Sequence, residues 1–152
     1  MSAGRAPDDA EDAIDTAETA GIIGYRLRRA QLRVFQRFLS VFETLELRPA
    51  EYSVLLLIAD NPGRKQTEIA EALGIKRANF VTLVHHMEAR GLVERRAATD
   101  DKRANSLHLT RAGKTFLTRA RSIHDELEVA LVKRLGGVHA RDMLLTLLDR
   151  LM

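Results

Sequence analysis

Apolar side chains recur at helical spacing along most of this chain, and the break in that pattern locates a small hairpin. Over residues 22–45, Ile23, Leu27, Ala30, Val34, Phe38 and Val41 form one stripe and Tyr25, Leu32, Phe35, Leu39 and Phe42 another, which predicts a long helix with two buried sides. Pro49 suits a first helical turn, and the helix it opens carries Tyr52, Leu55, Leu56 and Ile58 before Asn61-Pro62-Gly63 breaks it. Ile69, Ala70 and Leu73 lie on one face of a short helix that Gly74 ends as a left-handed residue, and Ile75 turns inward after it. Phe80, Leu83, Val84 and Met87 then follow at i, i+3, i+4 and i+7, with Gly91 as the stop. Leu92-Val93-Glu94-Arg95-Arg96 and Asn105-Ser106-Leu107-His108-Leu109 read as strands around a polar loop at 97–104. Thr110 can cap a helix bearing Phe116, Ala120, Ile123, Leu127, Ala130 and Leu131, which Gly136-Gly137 ends; a last helix carries Met143, Leu144, Leu147, Leu148 and Leu151. The predicted fold is mainly α with a small β wing, a winged helix-turn-helix flanked by N- and C-terminal helices.

Such an order points to DNA. Opposite its apolar stripe, the helix after Gly74 presents Ala78, Asn79, Thr82, His85 and His86, small or polar groups of kinds that reach base edges in a major groove. Lys76 and Arg77 stand at its start, where free backbone N–H groups and the positive helix end already favour a phosphate. The hairpin adds Arg95, Arg96, Lys102 and Arg103; Arg103 is long enough to enter a narrow minor groove, and Asp101 is placed to hold its guanidinium. With Gln66 and Thr67 on the preceding helix, these are the candidate DNA contacts.

The run Gln66-Thr67-Glu68-Ile69-Ala70-Glu71-Ala72-Leu73-Gly74-Ile75, the Gly91-Leu92-Val93 exit, the Asp101-Lys102-Arg103 tip and Leu107-His108-Leu109-Thr110-Arg111-Ala112-Gly113 resemble the MarR family of bacterial transcription regulators. The resemblance implies a homodimer joined by its terminal helices, with recognition helices in successive major grooves of an inverted-repeat operator, wings in the minor groove, and a small ligand that releases a repressor from DNA beside the genes it controls. It divides the chain into an acidic segment at 1–20, a dimerisation helix at 21–48, the winged region at 49–111 and C-terminal dimerisation helices at 112–152. Lys76 departs from the hydroxyl residue that many relatives carry there as a helix cap, so DNA phosphate would firm this helix start.

Charge is uneven. Six carboxylates against Arg5 give residues 1–20 a balance of −5, so within a net charge of +3 the remainder carries +8, suited to steering toward DNA. The acidic stretch reads as a tail over 1–9, with its remainder open between tail and amphipathic helix. The absence of cysteine excludes disulfides, thiolate metal sites and oxidation switches. No apolar run is long enough to span a membrane, and a soluble, cytoplasmic protein is expected.

Arg26, Arg29, Arg33 and Arg37 line one stripe of the first long helix, with Arg28 beside them, and no Asp or Glu lies within helical reach of Arg26, Arg28, Arg29 or Arg33. Solvent or carboxylates such as Asp125, Glu126 and Glu128 can balance them; so can an anionic effector. The resembling family binds phenolic or aromatic carboxylates, in some members their coenzyme A thioesters. Tyr25 and Tyr52 would then meet a ring while Arg28, Arg29 or Arg33 takes a carboxylate or phosphate. No cofactor is called for, and no enzyme motif is present: His-Glu-x-x-His, a phosphate loop and a serine elbow are all missing. Adjacent His85 and His86 diverge by about a hundred degrees on a helix, which disfavours a shared metal ion. A metal-responsive regulator and a winged module for protein or RNA stand as the alternatives.

Overall fold

In a computed structural model, residues 14–97 and 105–152 are described, and their contacts divide into two units, one ending at Val34 and the other Phe35–Met152. In the first unit a single turn, α1 (Ala17–Ala20), begins after Asp15, whose carboxylate accepts the Ala17 N–H at 2.9 Å. α2 (Ile23–Val41) follows, and the boundary falls within it. Tyr25 is half-buried; Arg26, Arg28, Arg29 and Arg33 are exposed, and none pairs with a carboxylate among the described residues of that unit.

The second unit holds the remainder of α2 and everything after it. The long helix expected over 22–45 stops at Val41, and a 3-10 turn, Glu43–Leu45, leads to Glu46 in the left-handed region at φ 46°. The expectation of two buried sides is also corrected. On α2 only Phe38 is buried, Phe42 just beyond stacks on it at 4.1 Å, and Phe35, Leu39 and Val41 are left open. A sequence stripe records that a face is apolar; it does not say whether the same chain covers it.

α3 (Pro49–Asp60) starts where expected, with the Glu51 carboxylate accepting the Arg48 N–H at 2.9 Å. α4 (Gln66–Ala72) closes through Gly74 at φ +62°, and α5 (Arg77–Ala89) seats Phe80, Val84 and Met87, all at 0% exposure, in the hydrophobic core. Gly91 at φ +69° turns the chain into β1 (Val93–Ala97), antiparallel to β2 (Asn105–Leu109) with Val93 opposite Leu109. The backbone before α4 extends this sheet, with Leu107 donating to the Arg64 carbonyl at 3.0 Å and Gly63 to that of Leu107 at 3.1 Å. Thr110 caps α6 (Arg111–Leu135) by accepting the Gly113 N–H at 2.9 Å. Gly136 at φ +98° ends that helix, and α7 (Val138–Asp149) follows, so Leu151 falls just beyond the final helix. Val138, Met143, Leu144, Leu145 and Leu147 of α7 are exposed.

Candidate nucleic-acid interface

The site is built on the outward face of α5. Because Phe80, Val84 and Met87 anchor one side, Ala78, Asn79, Thr82 and His85 are exposed on the other. The Thr82 hydroxyl donates to the Ala78 carbonyl at 3.2 Å, which leaves its oxygen able to accept a further hydrogen bond. At the start of α5, Lys76 is the N-cap residue and makes no side-chain cap hydrogen bond, so the first backbone N–H groups are not closed by it. Lys76 and Arg77 are exposed, with no ion pair among the described residues. Gln66, Thr67 and Arg77 border a cleft of about 200 Å³ between α4 and α5, floored by Ala70, Ile75 and Phe80.

Other expected contacts have partners inside the fold. Arg95 donates from Nε to Gln66 Oε1 at 3.0 Å and from Nη1 to Glu88 Oε2 at 2.7 Å, and its side chain is 18% exposed. Arg96, on the opposite face of the strand, pairs with Glu94. His86 Nδ1 lies 2.6 Å from Oε1 of Glu51, a carboxylate buried to 3% exposure, while Arg90 donates to the Leu45 and Glu46 carbonyls at 2.8 and 3.0 Å. The end of α5 and the residue after it are therefore tied to α3 and to the segment before it, and a cavity of about 420 Å³ bordered by Phe42, Arg48, His86 and Arg90 opens there. Asp101, Lys102 and Arg103 lie outside the described residues.

The five expected effector residues fall in both units. Tyr25, Arg28, Arg29 and Arg33 belong to the first unit, whereas Tyr52 is a core residue of the second at 5% exposure, stacked on His124 with centroids 4.7 Å apart and flanked by Phe38 and Phe42. Burial, and next the Asp125 charge, push the Tyr52 hydroxyl above the ordinary tyrosine range. A raised tyrosine keeps its proton in the folded chain after the unfolded chain has released it, so this contribution is intact below about pH 10 and is lost as pH rises beyond. Tyr52→Phe should make the alkaline fall of the urea midpoint shallower; parallel profiles for both proteins would contradict this environment. Glu51 and His124 carry no signal in the sequence because their partners His86 and Tyr52 lie far along the chain, and Glu88 carries none because it meets Arg95 only after the chain turns from α5 into β1. Among the described residues no three His, Asp or Glu side chains gather as metal ligands.

The MarR family profile matches residues 45–104. Regulator HosA of Escherichia coli O111:H- is 35% identical over 95 residues, covering 62% of this chain and 70% of HosA. The chain belongs to the MarR family. It is a winged-helix transcription regulator of that family. A regulatory protein assigned to the hcr operon of Thauera aromatica is 37% identical over 101 residues, 66% of this chain, and the matched stretch spans 61% of that relative's length. The solved structure of the repressor CouR on a 23-mer DNA duplex superposes with TM-score 0.85 at 42% identity, covering 91% of this chain and 98% of CouR; a second CouR structure, bound to p-coumaroyl-CoA, gives 0.84 at 41% identity, covering 91% and 97%. PcaV of Streptomyces coelicolor, at 22% identity and TM-score 0.78 over 91% of this chain and 95% of PcaV, shows the MarR fold alone. No described helix is long and apolar enough to cross a membrane.

Proposed function

We propose that this MarR-family chain is a cytoplasmic, homodimeric repressor that reads an inverted-repeat operator and is released by an aromatic acid in the form of its coenzyme A thioester. The observation that carries the reading is the 42% match over nearly the whole of CouR, a repressor solved both on duplex DNA and with p-coumaroyl-CoA. The residues agree with it. The uncovered apolar faces of α2 and α7 are the surfaces a twin subunit would bury, and Lys76, Arg77, Asn79, Thr82 and His85, none of them acidic, are exposed together on and before α5. Arg28, Arg29 and Arg33 offer cations to a ligand that carries several phosphates. The domain division at 21–48, 49–111 and 112–152 belongs to the same proposal. Release requires the thioester to bind one separation of the two reading helices better than the other, since equal affinity for both shifts nothing.

The test measures release of a labelled duplex taken from the DNA upstream of the chain's own gene. p-Coumaroyl-CoA is expected to displace the protein at concentrations at least about tenfold below those needed of free p-coumarate, and the variant with Arg28, Arg29 and Arg33 changed to Ala should bind the duplex but lose most of that difference. Equal potency of acid and thioester, or an unchanged response in the triple variant, would refute the arginine assignment. Absence of any duplex binding would refute the repressor reading.

A further inference from the structure

Two arginines stand side by side on β1, and only one of them is built into the fold. Strand alternation sends Arg95 toward the helices and Arg96 away. The Arg95 guanidinium takes partners from two other elements: Gln66, the first residue of α4, at 3.0 Å, and Glu88, near the end of α5, at 2.7 Å. His85 Nδ1 of the reading face lies 3.4 Å from the same Nη1 and 3.6 Å from the Glu88 carboxylate. A guanidinium is a rigid planar fork, so satisfying both acceptors fixes the directions of three elements at once. Glu88 also balances the charge of Arg95, in contrast to exposed Lys76 and Arg77.

We propose that Glu88 and Gln66 are positioning residues for DNA recognition: by holding Arg95 between α4, α5 and β1 they set the wing strand, and the His85 ring, in register with the reading helix. The proposal rests on the DNA-binding reading above. Major-groove and wing contacts have to be made together, and the angle between α5 and β1 decides whether both grooves are reached from one docking pose. In this assignment Arg95 touches no phosphate; its charge is spent inside the protein.

The full-length protein is tested on a duplex that the wild type enriches from a randomised pool and on a scrambled duplex of equal length, across a salt series. Arg95→Ala and Glu88→Gln should each weaken the enriched duplex about tenfold and the scrambled one less than about twofold, with the slope of log affinity against log salt unchanged. The double variant should be little worse than either single one, because both break the same link. Arg95→Lys keeps the charge and loses the fork, so it should not rescue specificity, and it serves where the alanine variant fails to fold. A slope lower by about 0.9 per site in Arg95→Ala would make Arg95 a phosphate contact and overturn the proposal. So would tighter binding of both duplexes by Glu88→Gln, or multiplicative losses in the double variant. Failure of the wild type to enrich any sequence would overturn the DNA reading itself, and this assignment with it.

Discussion

Gly113→Ala is expected to remove a large share of this protein's stability and to lower its urea midpoint sharply. Gly113 is the third residue of α6, and a β-carbon there would stand 1.9 Å from the Leu92 carbonyl oxygen and 2.9 Å from its carbon. Neither partner can step aside. The Leu92 N–H donates to the Met87 carbonyl at 3.0 Å, its carbonyl accepts from the Thr110 N–H at 3.1 Å, and the Thr110 hydroxyl donates to the Gly91 carbonyl at 2.6 Å. Gly113 itself is held by donating to the Thr110 hydroxyl. Overpacking against side chains that can rotate costs about 1–3 kcal/mol, and a clash with pinned backbone belongs above that range, at about 4 kcal/mol or more. Against a total stability of roughly 5–15 kcal/mol, that is a large share, and the urea midpoint should fall sharply. Urea unfolding followed by circular dichroism measures the loss, with Gly24→Ala as the companion: a β-carbon at Gly24, the second residue of α2, meets no described atom within 4 Å, and in this first turn the change should be neutral or stabilise by less than the roughly 1 kcal/mol of a helix interior. A cost below about 1 kcal/mol for Gly113→Ala would show that the α6 start can slide away from β1.

What sequence reasoning could reach here is what adjacent residues determine among themselves. Positive φ at Gly74 and Gly91, the bounds of β2, the Pro49 start of α3 and the Thr110 cap of α6 all follow from local turn and capping chemistry, and all are present. Gly113 stood in the motif as a letter, and the reason for it lies 21 residues back, at Leu92. The same distance hid the roles of Arg95 and Tyr52. Arg95 and Arg96 look alike in the sequence, and period-2 alternation separates their faces, but that Gln66 and Glu88 wait on one side depends on how α4 and α5 pack. Tyr52 stands in the sequence both on an apolar helix face and among the aromatic candidates for a ligand, and its packing against Phe38, Phe42 and His124 depends on elements distant along the chain. The apolar stripe of α2 shows the converse case, in which Phe38 is covered and Leu39 beside it is not, because part of the stripe's complement belongs to a second subunit in the proposed dimer.

Changing Lys76 and Arg77 together to alanine is expected to cost DNA affinity on the order of a thousandfold at physiological salt, equally on specific and scrambled duplexes. Both side chains stand at the N-terminal end of α5, where the helix dipole and unclosed N–H groups already favour an anion, and among the described residues neither is drawn into an ion pair. Two cations per subunit become four in the dimer, and each phosphate contact contributes about 0.9 to the log–log salt slope, so the slope should fall by roughly 3.6. Thr82→Ala and Asn79→Ala separate from this by kind: each should cost about 1–3 kcal/mol on the specific duplex, leaving scrambled DNA and the salt slope nearly unchanged. Fluorescence anisotropy over a salt series reads both quantities in one experiment. Since both side chains are exposed and neither forms an ion pair among the described residues, the double variant should keep its urea midpoint, which separates lost contacts from lost structure. A salt slope unmoved by the four substitutions would mean that the beginning of α5 faces water in the complex, and α5 would then have to enter the groove by its middle, around Thr82 and His85, with its positive end turned away from the phosphates.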